Sequence, residues 1–492
     1  MVSSEKGLPE ILQPGVEEKA ASGAEPISGA NVKWVAKLGV RTHGSTTVAR
    51  GRVFVGTNSP EYRDGRKAPH GDAAAGRLVC LEEHSGKLLW ELVPPRLAEN
   101  RAPHSDNGYG ICSSATVEGN RVYVVTNRAD VLCLDAEGMA NGNDGPFQDE
   151  ARYLAGVDDF DKRPPSPVEL RPTDADILWR YDMFKELDAH PHDASSCSVL
   201  AHGDLLYVCT GNGINGGENK VMNPLAPSLI VLDKKTGRLV AKDDEKIGTR
   251  LFKGQWTSPS ECKVGGKTLI IYGGGDGLCY AFGPVAPAAD GHVQTLKKVW
   301  AVDCLPPECK LPDGKPRPYR AGENGPSEIV GTPACVGDRI YVTIGRDPNR
   351  GEGRGNLVCI DPAKGAAVWA YGKIGRSMSS VALSDGLIYV GETFGAVHCV
   401  DAATGQGCWT HEINGRVWGS CLAADGKVYV PTSKGLLVFA AGKEKKLLRT
   451  VKIGSGCYST PCAANGVLFV ASQRFLYAVQ EKGGGHGLAA GK

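Results

Sequence analysis

An acidic residue, a glycine four positions later and a bulky residue four positions after that recur along this chain. Three of the clearest copies run from Glu82 to Trp90, Asp361 to Trp369 and Asp401 to Trp409, and a fourth, Asp233 to Ala241, ends on alanine. Each follows an apolar run, at 78–81, 357–360, 397–400 and 229–232, so each reads as a strand, a tight glycine turn and a second strand. A repeat of this kind decides the architecture before any chemistry is considered.

A Val- and aromatic-rich strand gives the count. It recurs at 52–55, 121–125, 205–209, 268–272, 339–343, 387–390, 427–430 and 467–470, which makes eight units. Each unit is read as four strands, A to D: a Ser/Thr-rich strand, the aromatic strand, the apolar strand ending in Asp, and the strand ending in Trp. The last three units recur at about 40 residues, the size of a propeller blade, while the earlier ones are stretched by insertions. The sequence therefore predicts an all-β chain, an eight-bladed β-propeller of four-stranded antiparallel blades. The final unit supplies three strands up to Leu476–Val479, and Asn31–Trp34 is a lone closing strand, so the N-terminal strand is expected to close the last blade and remove an open edge. Residues 1–30 and 482–492 read as flexible tails around a single propeller at 31–481.

With 56 basic and 55 acidic residues and a formal net charge of +1, the chain lacks the electrostatic footprint of a nucleic-acid binder. No run reaches the roughly 18–20 apolar residues of a transmembrane helix, and the polar N-terminus offers no apolar signal core. Of the 16 cysteines, Cys80, Cys133, Cys359 and Cys399 share one repeat position with Val231, Ala281 and Ala478, which marks them as small core fillers. Cys304 and Cys309 bracket a Pro-rich loop, where a local disulfide and two free thiols are both compatible with the spacing. So many thiols sit awkwardly in an oxidising compartment, and localisation stays open.

The Asp-x-x-Thr-Gly-x-x-x-Trp pattern resembles the repeat of PQQ-type propellers, the superfamily of PQQ-dependent alcohol dehydrogenases and BamB-type outer-membrane assembly proteins. The resemblance spans residues 31 to 480. It implies an eight-fold ring, blade-docking roles for Trp90, Trp369 and Trp409, and a periplasmic or envelope location. It does not choose between enzyme and scaffold.

Loops joining B to C, and D to the next A, emerge on one face. Insertions crowd that face in the first half of the ring, at 58–76, 92–110, 182–194, 212–227, 243–255, 303–328 and 345–355, whereas the last three blades have short loops. The decorated face is thus expected to carry function. On the opposite face stands one insertion, 137–176, readable as a partner contact or a solvated excursion.

Residues that begin the A strands point toward the channel at the decorated mouth: His43, Asn107, Tyr109, His192, Asp193, Gln255, Trp256, Asn324, Glu328, Arg376, Trp418 and Tyr458. Such a ring suits a polar small molecule, with Trp256, Trp418 and Tyr458 as stacking walls and Arg376 as an anion contact; ordered water held by whatever side chains start those strands is the plain alternative. Gln255 and His43 complete the candidate cofactor-binding set. His190 and His192 alternate on an extended segment and could share a metal, although no third ligand is identified. Asn141–Gly145 lacks the EF-hand spacing, because Ala140 and Gly142 fall where ligands are needed.

Three functions remain in view. The first is a binding or assembly scaffold resembling BamB-type proteins, a monomer that holds a protein partner or a small polar ligand at the decorated face. The second, implied by the resemblance, is a PQQ- and calcium-dependent quinoprotein dehydrogenase acting on alcohols or sugars, with Glu328 and Asn324 as metal ligands, Asp193 as base, Arg376 against the quinone carboxylate and Trp256 as stacking floor. Two features depart from that pattern: no two cysteines are adjacent, and no Cys-x-x-Cys-His haem site occurs. The third is a polysaccharide-binding propeller built on the same aromatic and amide groups.

Overall fold

A computed structural model of the chain describes residues 1–10, 12, 31–59, 75–97, 108–156, 166–192, 197–215, 220–317, 327–347 and 351–481. These form eight antiparallel sheets arranged as a propeller. In blade 1 the strands are Thr47–Ala49, Arg52–Asn58, Gly76–Glu82 and Leu88–Leu92, hydrogen-bonded in that order. Every aromatic strand expected from the sequence is strand B of a blade. Blade 8 takes Cys462–Ala464, Val467–Ala471 and Phe475–Val479 from the end of the chain and Val32–Lys37 from its beginning, with Trp34 opposite Ala478. No helix among the described residues is long and apolar enough to cross a membrane.

The repeat signature is explained at the blade interfaces. Six of the tryptophans lie on D strands, and each indole N–H donates to a carbonyl in the C-to-D connection of the next blade, at 2.8–3.2 Å. The acceptors are Glu83, Ala136, Lys234, Pro362, Ala402 and Gly442. Across the sheet, Trp34, Trp90, Trp179, Trp300, Trp369 and Trp409 face Ala478, Cys80, Cys133, Ala281, Cys359 and Cys399. A small residue beneath a large ring keeps the layer thickness constant, so these cysteines are packing groups. Blades 3 and 7 have Ala241 and Arg449 in place of tryptophan, and there the facing residue is the larger Val231 and Val438.

Each of these two blades gains an extra segment. Beside blade 3, Gln294–Thr295 adds a short parallel strand against Ala241 and Lys242, and buried Leu296 joins the core there. Between blades 7 and 8, the N-terminal residues fill the space: Leu8 and Leu12 are 1% and 5% exposed and pack with Tyr429, Val438 and Tyr477. Residues 1–10 are therefore a docked arm, not the loose tail expected from their polar composition. Val2 bridges Ala423, the Glu5 carboxylate accepts from the Asn465 and Gly466 N–H groups, and Tyr429 Oη donates to the Pro9 carbonyl at 3.0 Å. The Met1 amino group reaches into the channel and donates to the carbonyls of Val381 and Cys421 at 3.1 and 3.0 Å. All 16 cysteines are free, Cys304 and Cys309 among them.

Candidate functional site

Neighbouring A strands belong to different sheets, and hydroxyl side chains join them around the channel. The backbone N–H of Ser45 donates to Ser114 Oγ (3.2 Å), that of Ser114 to Ser198 Oγ (3.0 Å) and that of Ser198 to Ser258 Oγ (2.8 Å). Across the ring, Ser380 N–H donates to Ser420 Oγ and Ser420 N–H to Thr460 Oγ1, both at 2.9 Å. This is why strand A reads as Ser/Thr-rich: a short acceptor closes a gap that sheet pairing cannot. Inside the ring lies a cavity of about 660 Å³, within the range of small-molecule sites, with Met1 on its wall.

Aromatic rings crowd one side of the mouth. His43 stacks on Trp418 with centroids 5.2 Å apart and meets the edge of Tyr109 at 5.2 Å, while Trp418 meets Tyr458 at 5.0 Å. Burial, and then the nearby Arg41, push the His43 imidazole down to about 4, so it is neutral at physiological pH. Trp418 Nε1 is buried and has no acceptor among the described residues. Trp256 also lines the cavity, its indole N–H donating to the His192 carbonyl at 3.1 Å.

Other residues expected at the mouth are engaged by the fold. Gln255 is 1% exposed; its amide donates to Asn212 O and Ser228 Oγ, and its carbonyl accepts from Tyr272 Oη at 2.7 Å. Arg376 is 2% exposed and its guanidinium donates to the carbonyls of Gly351 and Glu352, clamping the B-to-C loop of blade 5. His190 binds Asp188 at 2.8 Å and lies edge-on to Phe184, and among the described residues neither it nor His192 joins a group of three metal-ligating side chains. Asn107, Asp193 and Asn324 lie outside the described residues.

Sequence reasoning missed a buried charge cluster beside the channel. Lys253 pairs with Asp347, both 3% exposed at the side chain, and Arg346 and Arg376 act on the same group of charges. Only Asp347 of this cluster contributes to the cavity wall. Glu328 is fully buried, bonds Gly345 through its backbone in both directions, and neither carboxylate oxygen has a hydrogen-bond partner. Burial raises its pKa to about 8 against the opposing pull of Arg346. The fold thus favours the neutral acid. Its contribution to stability is complete below the unfolded value of 4.5 and is lost as pH rises toward 8. Glu328→Gln should remove this slope. Urea melts at pH 5 and pH 8 are expected to show the variant gaining roughly 1–4 kcal/mol on wild type between the two; a pH-independent difference would refute the neutral acid.

The geometry can be set beside known proteins. Residues 353–448 match the family model described as outer membrane protein assembly factor BamB. That match covers less than half of the chain, and lies in its later blades. Among solved structures, the chain is similar to BamB from Moraxella catarrhalis, at 13% identity and a TM-score of 0.55 over 92% of this chain and 99% of that one. It is similar to a europium-containing methanol dehydrogenase, at 15% identity and 0.54 over 90% and 84%, and to the computationally designed Ika8 protein, at 10% and 0.51 over 92% and 100%. A comparison with curated proteins finds no significant match. At these identities the likeness is one of fold, and a set so mixed leaves function to the site.

A quinone cofactor of the kind the repeat implies needs an open stacking face and polar groups free to meet its carboxylates and carbonyls. In this propeller His43 covers a face of Trp418, Arg376 is turned to loop carbonyls, and Gln255 is satisfied internally. Three of the candidate quinone contacts are therefore already engaged, while Trp256 and Tyr458 stay half-exposed on the cavity wall.

Proposed function

We propose that the protein is a non-catalytic binding propeller that holds a protein partner on its decorated face, around the mouth of the channel. What carries this reading is the engagement of Gln255 and Arg376 by protein atoms, together with the sealed position of Glu328. Groups that cofactor chemistry would use support the fold instead. The aromatic rim stays half-exposed at His43, Tyr109, Trp256, Trp418 and Tyr458. Tyrosine and tryptophan offer large contact area at small entropic cost. Similarity to the BamB family model supports the reading without deciding it.

Site-specific photo-crosslinking tests it. A benzophenone side chain at Tyr109, on the rim, or at Leu225, which is 68% exposed in the B-to-C loop of blade 3, is expected to give a discrete adduct in cells. The same group at Val368, 48% exposed on the outer strand of blade 5, should give none. A saturable rise in melting temperature with PQQ at fixed calcium, lost in Arg376→Ala, would overturn the scaffold reading in favour of a dehydrogenase.

A further inference from the structure

The insertion at 137–176 lies on the face opposite the mouth, and three aspartates converge at its base. Asp135 ends strand C of blade 2, Asp144 lies within the insertion, and Asp176 immediately precedes strand D. One carboxylate oxygen from each lies within 4.8 Å of the others. That spread matches oxygens arranged around a single calcium ion with metal–oxygen distances of about 2.3–2.6 Å. Asp176 is 0% exposed and Asp135 7%, and Asp176 Oδ1 has no hydrogen-bond partner at all.

The remaining contacts fix the carboxylates without neutralising them. Asn120 Nδ2 donates to both oxygens of Asp135 at 3.0 Å, and Glu137 N–H donates to Asp135 Oδ1 at 2.6 Å. The Asp144 backbone N–H donates to Asp176 Oδ2, and Asn141 Nδ2 to Asp144 Oδ2, each at 2.9 Å. Among the described residues no Lys or Arg pairs with any of the three. Converging carboxylates, one oxygen of them buried and bare, cost free energy unless a proton or a cation joins them.

We propose that Asp135, Asp144 and Asp176 form a calcium site that pins the blade 2 insertion to the propeller. An all-oxygen, carboxylate-rich donor set selects a hard cation. The ligands come from three separate stretches of chain, so no contiguous loop motif announces them. The site stands apart from the decorated face and from the reading given to it.

Calorimetric titration of the full chain, after dialysis against a chelator, provides the test. One calcium per chain is expected, with a rise in melting temperature and slower amide exchange confined to residues 138–156. Asp144→Asn should weaken binding tenfold or more, and Asp176→Asn should abolish it. Asp144 is exposed and holds Asp176 through its backbone, so its variant retains the fold. Four results would each overturn the proposal: no uptake by wild type at millimolar calcium, tighter binding of magnesium than of calcium, protection at the channel mouth instead of the insertion, or wild-type affinity in Asp144→Asn.

Discussion

Replacing Trp90 by alanine is expected to lower stability by about 3–5 kcal/mol, the range for removing a large aromatic side chain from a core. The indole is fully buried, stands 5.9 Å from the ring of Phe54, and donates to the Ala136 carbonyl of the next blade at 2.8 Å. Alanine would leave both a cavity beneath Gly138 and a buried carbonyl without its donor. Trp90→Phe separates the two effects, because it keeps much of the volume and loses the hydrogen bond, for about 1–2 kcal/mol. Equilibrium denaturation of both variants checks the ordering. A loss under about 1 kcal/mol in Trp90→Ala would mean that the blades dock without help from this ring.

The glycine of the same motif should be nearly as intolerant. Gly405 has φ +72°, a conformation unfavourable for other residues, and a Cβ placed there would lie 2.6 Å from Trp369 Cδ2. Gly405→Ala therefore meets backbone strain and a collision with a ring that is itself held by its N–H bond to Ala402. A cost of about 3 kcal/mol is expected. Gly426 is the matched control: its φ is +67°, with nothing within 4 Å of the added carbon. Gly426→Ala should cost only about 1 kcal/mol. Comparable midpoints for the two variants in urea would show that the tryptophan contact contributes nothing.

The ring was legible because its repeat is local. Asp401 accepts from the N–H groups of Ala403 and Thr404 and from the Thr404 hydroxyl, so that turn is encoded within a few residues and reads directly from the sequence. The closing strand was legible for a related reason, since one missing strand at each end implies a shared blade. The N-terminal arm was not. Its two leucines, Leu8 and Leu12, belong to no repeat, and their burial depends on a gap left by Arg449 on a distant strand. His43, Tyr109, Trp256, Trp418 and Tyr458 do line the cavity, but position alone could not say that Gln255 and Arg376 face inward to protein atoms. Lys253, Arg346 and Asp347 escaped notice because their pairing is set by the meeting of separate loops.

Closure of blade 8 by Val32–Lys37 carries a kinetic consequence. Val32–Lys37 is made long before Phe475–Val479 and must wait for it unpaired. Every other blade can form from residues close in sequence, so an open arc should assemble during synthesis while its two ends remain apart. Bringing such distant segments together is the entropically slowest step available to this topology. Until it happens, both rims of the arc present bare strand edges, the form in which a partly made chain is most prone to join a neighbour. The moment of greatest vulnerability in the life of this protein is therefore the interval just before its ring shuts.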